Sequence, residues 1–136
     1  MFYRIEKCHK FVDHRGQLVE FFRRSDMRDF PSEFGQIYVV TFDSPGKVRG
    51  NHFHTTGVEA FGCVHGKLEV ALEDVHTKER VELTLSADNE TFERLRIGSY
   101  VAHAFRNITP TAILVDYCSE QFNPEKPDRN PYILFE

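Results

Sequence analysis

Tryptophan is missing from this 136-residue sequence, methionine occurs twice and cysteine three times. The cysteines, Cys8, Cys63 and Cys118, are odd in number and far apart, which argues against a disulfide framework and against a CxxC zinc knuckle. No stretch approaches the roughly 18 apolar residues that a membrane-spanning helix needs. The N-terminus, Met1-Phe2-Tyr3-Arg4-Ile5-Glu6-Lys7, is charged from its fourth residue and lacks a signal-peptide apolar core. Charge of one sign is scarce too: 17 Lys and Arg stand against 21 Asp and Glu, and the net −4 is spread along the chain. Without clustered Lys or Arg, no nucleic-acid partner is expected. Repeats, low-complexity segments and linker-like stretches are also absent. One soluble, cytoplasmic domain over residues 1–136, with no membrane partner, is the expectation.

What is present is aromatic and alternating. Thirteen Phe and five Tyr supply apolar volume, and a chain of this length buries roughly two-thirds of its unfolded surface. Leu68, Val70 and Leu72 alternate with charged or small residues, as do Val81, Leu83 and Leu85, which predicts half-buried strands. Ile37 to Phe42 and Ala112 to Tyr117 are short apolar runs expected as buried strands. Turn residues separate them at Ser44-Pro45-Gly46, His65-Gly66, Ala87-Asp88-Asn89, Gly98-Ser99 and Thr109-Pro110. About ten short strands at this spacing make an all-β sandwich or barrel. The single helical candidate, Ser25 to Phe34, is cut to about one turn by Pro31. The tail from Asn123 to Asn130, with two prolines, is expected to lie over the barrel or against a partner.

The chemistry is concentrated in GKVRGNHFHTTGVEAFGCVHG, from Gly46 to Gly66. Residues two apart on a strand share a face, so His52 and His54 present both imidazoles to one side. Glu59 follows the Thr55-Thr56-Gly57 turn, where a returning strand brings its carboxylate beside them. His103 shares a face with Val101 and Phe105 and is expected to point inward. A lone histidine on a strand is ordinarily structural, and His9, His14, His65 and His76 are read that way. His-x-His followed by a carboxylate, and by a fourth ligand some way downstream, is far more specific. His52, His54, Glu59 and His103 suit a borderline divalent ion, zinc first, with iron, nickel or manganese as alternatives. Cys63 shares the face of Glu59 and Phe61 and is read as buried filling.

The spacing G(X)5HXH(X)4E(X)6G, met by Gly46, His52, His54, Glu59 and Gly66, resembles the first motif of the cupin family. The second cupin motif is met only at its end, by His103 and Asn107, and its Pro and second Gly are missing around Gly98-Ser99-Tyr100. The resemblance implies a jelly-roll (double-stranded β-helix) barrel. Asp13-His14-Arg15-Gly16-Gln17-Leu18 and Arg49-Gly50-Asn51-His52 are similar to segments of nucleotide-sugar cupins, the dTDP-4-dehydrorhamnose 3,5-epimerases and the sugar 3,4-ketoisomerases. Phe122-Asn123-Pro124-Glu125-Lys126-Pro127-Asp128 resembles the C-terminal cupin domain of capsular UDP-sugar epimerase/reductase enzymes.

These resemblances imply an epimerase or ketoisomerase acting on a dTDP- or UDP-linked 4-keto-6-deoxy sugar in surface-polysaccharide synthesis, as a homodimer with exchanged N-terminal strands. The R-G-x-H histidine, here His52, is the base of the epimerases; a base and a tightly held metal ligand are competing roles for one imidazole. His54 stands where the epimerases carry Gln, and Tyr38 or Tyr117 is expected as the acid. Arg15, Arg23, Arg24 and Arg49 are the candidates for a pyrophosphate, since guanidinium matches phosphate oxygens, with Asn51 beside them. The W-n-D-P segment of the epimerases has no counterpart in a chain without Trp, which leaves Asp116 or Asp128 to stand in. Two other readings stay open: an Fe(II)-dependent oxygenase on the same ligands, and a non-catalytic module that binds sugar or metal.

Overall fold

Strands with apolar residues at every second position have one face to cover, and two facing sheets cover both sets at once. The computed structural model describes residues 1–29 and 34–136. Its strands are β1 (Tyr3–Cys8), β2 (Lys10–Asp13), β3 (Gly16–Val19), β4 (Gln36–Phe42), β5 (Val48–Phe53), β6 (Glu59–His65), β7 (Lys67–Asp74), β8 (Arg80–Ser86), β9 (Phe92–Ile97), β10 (Val101–Asn107), β11 (Ala112–Cys118) and β12 (Asn130–Pro131). One antiparallel sheet runs β1-β9-β6-β11-β4 and the other β12-β5-β10-β7-β8, while β2 and β3 pair as a separate hairpin. This is the expected jelly roll.

Between the sheets, Leu68, Val70, Leu72, Leu85 and Phe105 meet Phe42, Phe61, Leu95 and Leu114, all buried. Cys63 is buried in the same cluster, as the alternation predicts. The β6–β7 turn needs Gly66: its φ is +76°, and a Cβ there would stand 2.3 Å from the Thr111 carbonyl oxygen. On the outer face of the second sheet, Leu134 and Phe135 pack on Ala71, Ala102 and Ala104. Small residues at those three positions let Leu134 and Phe135 lie close against the strands, whereas residues 123–127 of the expected covering segment are exposed.

Two expectations change. Ile37 to Phe42 forms a strand, but β4 is the edge of its sheet, and Ile37 (56 %) and Val39 (69 %) are exposed on its outer face. The apolar run carries no sign of where the sheet ends. The helical piece is a 3₁₀ turn over Arg24–Asp29, and residues 30–33 of the expected span lie outside the described residues. The β2–β3 hairpin also exposes Phe11, Val12 and Leu18. Among the described residues no helix is long and apolar enough to cross a membrane.

Leu68 is fully buried, so Leu68→Ala is expected to lower stability by about 2–5 kcal/mol in urea unfolding. A loss below about 1 kcal/mol would show that the inter-sheet cluster is not the stabilising core.

Candidate metal and substrate site

A bulge aims the histidines. Where β5 pairs with β10, His103 lies opposite His52 and Ala104 opposite Gly50, which leaves Asn51 as an extra residue. Gly50 has φ +95°, and a Cβ on it would come 2.7 Å from the His103 carbonyl oxygen. Asn51 itself adopts φ 57°, a conformation Asn tolerates better than most residues. The bulge changes the local strand direction just before His52 and His54, whose rings then lie 4.8 and 5.4 Å from that of His103. His52, His54 and His103 each offer a ring nitrogen within 4.8 Å of the others'.

The three imidazoles are not equivalent. His54 Nδ1–H donates to the Asp128 carbonyl oxygen at 2.5 Å, and His103 Nδ1–H to that of Val101 at 3.0 Å. A carbonyl can only accept, so in both neutral rings Nε2 carries the lone pair. Those Nε2 atoms stand 3.4 Å from Oε1 and Oε2 of Glu59 respectively. His52 makes no side-chain hydrogen bond among the described residues. Metal-ligating histidines almost always hold their second ring nitrogen in such a bond, and here His54 and His103 do.

Charge follows burial and neighbours. Burial, with the neighbouring His103 and His54 imidazoles, pushes His52 down to about 4, so it is neutral at ordinary pH. Burial lowers His103 as well. In His54 burial is outweighed by Glu59, which raises it. Burial opposes ionisation of Glu59, but His103 and His54 hold its carboxyl down at about 2. Asp116, buried beside it, is pushed well above the usual carboxylate range by that burial and by the Glu59 charge. Two carboxyls in one low-dielectric pocket do not both ionise. Burial likewise raises the Cys118 thiol, which donates to Glu59 Oε1 at 3.4 Å.

Glu59 Oε2 and Asp116 Oδ1 are buried without a hydrogen-bond partner. Two lone-pair nitrogens turned toward an ionised carboxylate that keeps an unpaired buried oxygen are a donor set that fits a divalent cation. Asp116 was expected only as a stand-in for the missing W-n-D-P aspartate, and Cys118 was not assigned from the sequence. Their signal is parity along β11, which turns Leu114, Asp116 and Cys118 toward one side, with a charged residue inside an apolar run.

These groups open into a cavity of about 940 Å³, lined among others by Tyr38, Arg49, Phe61, Asp116 and Arg129. Tyr38 reaches it, lying opposite Asp116 in the β4–β11 register. Tyr117 does not. It faces the other side of β11, stacked on Phe22 at 4.3 Å in a cluster with Ala60 and Val58, so the candidate acid there is corrected by strand parity. Asn51 borders the cavity, but its side chain is engaged by the tail: Nδ2 donates to the Phe135 carbonyl, and Oδ1 accepts from the Leu134 and Phe135 amides. Arg15, 78 % exposed and bonded to Asp13, and Arg23, bonded to Asp26, lie outside the cavity lining, as does Arg24. Of the expected phosphate arginines, Arg49 alone lines it.

Comparison with known proteins agrees with this architecture. The family model described as polysaccharide biosynthesis C-terminal domain matches residues 11–130. No curated protein sequence matches the chain. Among solved structures, the capsular polysaccharide assembling protein CapF from Staphylococcus aureus is similar at 27 % identity and TM-score 0.68, over 93 % of this chain and 34 % of CapF. The chain thus spans about a third of that relative. The dTDP-4-dehydrorhamnose 3,5-epimerase from Bacillus anthracis, solved with TDP and PPi, is similar at 21 % identity and TM-score 0.78, over 90 % of this chain and 75 % of the epimerase. The sugar 3,4-ketoisomerase QdtA from Thermoanaerobacterium thermosaccharolyticum, in complex with TDP, is similar at 21 % identity and TM-score 0.75, over 94 % and 86 % of the two chains. All three are RmlC-like cupins, and the fold is theirs.

Asp128 ties the tail to this site. Its carboxylate accepts from the backbone amides and hydroxyls of Thr55 and Thr56 and from Asn130 Nδ2. Burial opposes its ionisation, but the hydrogen bonds from Thr55 and Thr56 win and hold it down at about 2. Its stabilising effect is therefore complete above the ordinary carboxylate value of about 4 and is lost as pH falls through about 2. Asp128→Ala is expected to cost about 1 kcal/mol at pH 7, a charged hydrogen-bond value reduced for solvent screening. If the imidazoles and Glu59 hold a divalent ion, the same change should weaken its binding about tenfold through His54, read by competition of zinc with a chelator. Unchanged affinity would show that the Asp128 carboxylate is not what holds its own carbonyl against His54.

Proposed function

The chain belongs to the polysaccharide biosynthesis C-terminal domain family, and on that premise we propose that it isomerises a nucleotide-linked 4-keto-6-deoxy sugar. The observation that carries the reading is the inequality of the three imidazoles. His54 and His103, each locked by a backbone carbonyl and facing Glu59, are the ligands of a divalent ion, zinc first. His52, neutral and without a hydrogen-bond partner among the described residues, is the proton-transfer residue. This reading gives His52 the role of base and leaves that of ligand to His54, His103 and Glu59.

Enolisation supplies the chemistry. A 4-keto group acidifies the C–H bonds beside it, and His52 takes one of those protons while the bonding pair becomes the C=C of an enediolate. Negative charge then develops on the keto oxygen, and a bound ion would supply the Lewis-acid stabilisation for it. Tyr38 faces the same cavity from β4 and serves as the acid. A proton returned to the opposite face of the same carbon gives an epimer. A proton delivered to the former carbonyl carbon, with loss of the neighbouring hydroxyl proton, moves the keto group along the ring. The epimerase structure holds TDP and PPi and the ketoisomerase structure TDP, which supports a nucleoside-diphosphate handle on the sugar.

A second copy of the chain is the partner this reading implies. Ile37 and Val39 on the open edge of β4, and Phe11, Val12 and Leu18 on the hairpin, are apolar surfaces left exposed, the pattern that an exchanged N-terminal hairpin would cover. The cytoplasm, where activated sugars are made, is the compartment that fits.

Incubating the zinc-loaded protein with dTDP- and UDP-4-keto-6-deoxyglucose in D₂O should place deuterium on a carbon beside the keto group, seen by NMR. Its position separates epimerase from ketoisomerase. His52→Ala should abolish exchange with zinc content unchanged; loss of the zinc instead would make His52 a ligand. No exchange with either nucleotide would overturn the reading. Oxygen uptake by the iron-loaded protein would then point to an oxygenase, and nucleotide binding without exchange to a non-catalytic module.

A further inference from the structure

The tail between β11 and β12 brings cations to the cavity from a direction the nucleotide-sugar signatures do not indicate. Lys126 and Arg129 line the cavity wall together with Arg49 of β5. Six arginines elsewhere face carboxylates: Arg15 faces Asp13, Arg23 faces Asp26, Arg80 faces Glu82, Arg94 and Arg96 face Glu6, and Arg106 faces Glu69. Arg49 and Arg129, by contrast, have no acidic partner among the described residues. Arg49 donates to the Thr41 carbonyl oxygen at 3.3 Å. The Arg129 guanidinium lies over the Phe122 ring, 4.7 Å from its centroid. Four acids share this cavity: Asp128 is engaged by Thr55 and Thr56, Glu59 lies against the imidazoles, Asp116 is kept from ionising by burial and the Glu59 charge, and Glu120 pairs with neither Arg49 nor Arg129.

Arg129 is also held in place. On one side of it the Asp128 carboxylate grips the Thr55–Thr56 turn, and on the other Asn130 Nδ2 donates to the Phe53 carbonyl oxygen at 3.1 Å. Asn130 and Phe53 are register partners in the β12–β5 pair. With its backbone fixed at both neighbours and its head resting on an aromatic face, this side chain has little freedom left to lose on gripping a ligand. A chain of net charge −4 that keeps unneutralised cations along a cavity wall is arranged for an anion.

We propose that Arg129, assisted by Lys126 and Arg49, is the diphosphate-binding group that this chain supplies to its own cavity, so that the C-terminal tail builds that part of the phosphate subsite. The inference rests on the reading that the substrate is a nucleoside-diphosphate sugar, whose phosphates carry its negative charge. A guanidinium can meet two phosphate oxygens at once, which the Lys126 ammonium cannot. Because residues 128 and 130 anchor the same tail to the His54 strand, the phosphate grip and the metal ligand move as one unit. The distance between them then sets which part of the sugar reaches His52.

Calorimetric titration of the zinc-loaded full chain with dTDP, UDP and inorganic pyrophosphate tests this. Arg129→Ala should weaken binding of the preferred nucleotide and of pyrophosphate about 10- to 100-fold, the loss expected for charge-assisted hydrogen bonds. Arg129→Lys should fall between, and both variants should keep wild-type zinc content and thermal midpoint. Arg4→Ala, outside the cavity, should bind as wild type. Equal affinity in Arg129→Ala and wild type, or a loss seen instead in Arg15→Ala/Arg23→Ala, overturns the inference and leaves the isomerase reading intact. Arg129-dependent binding of pyrophosphate without any nucleotide binding upholds the subsite and contradicts the nucleotide-sugar reading. A wild-type protein that binds none of the three overturns both.

Discussion

An ionised carboxylate inside a barrel lined with Phe and Leu is the constraint around which the site is organised. Glu59 is buried near Phe61 and Cys63, with one oxygen lacking any hydrogen bond. An isolated buried charge costs far more than a hydrogen bond returns, so positive or proton-donating groups must converge on it. Cys118 donates to it from β11, and His54 and His103 bring ring nitrogens to 3.4 Å from the opposite sheet, a gap that a proton or a cation closes. Asp116 yields by staying protonated. The same demand accounts for the features that orient these donors: the Gly50–Asn51 bulge, the carbonyls of Val101 and Asp128, and the tail that carries Asp128 back across β5.

The tail connects fold and chemistry. Phe135 and Leu134 seat it on alanines of β7 and β10, Asn51 clasps its last residues, and Asp128 fixes the turn after His54. Each contact is modest alone, on the order of 1 kcal/mol for a hydrogen bond. Together they hold a segment of little regular secondary structure firmly enough to present Arg129 at the cavity wall. The tail is therefore both part of the barrel's cover and part of its site.

Much of this was legible in the sequence, and the parts that were not share a cause. Period-two alternation located the strands, and spacing alone brought His52, His54, Glu59 and His103 together, because parity fixes which face a strand residue occupies. Parity misapplied explains Tyr117, which sits one residue from Asp116 and so faces away. Whether a strand is central or an edge depends on pairing across the whole chain, which is why Ile37 and Val39 are exposed in an apolar run. Asn51 and Asp128 act through contacts 84 and 73 residues apart in sequence, and Arg129 is placed by the equally distant contacts of its neighbours Asp128 and Asn130; no local pattern announces such contacts. The hairpin arginines matched a family signature without reaching the cavity of their own chain.

The division of labour among the histidines is the central claim, and X-ray absorption at the zinc edge tests it most directly. The wild-type protein should show a shell of two imidazole nitrogens with carboxylate oxygen, and the His52→Ala spectrum should be the same. A shell of three imidazoles that drops to two in His52→Ala would make His52 a ligand and contradict the account.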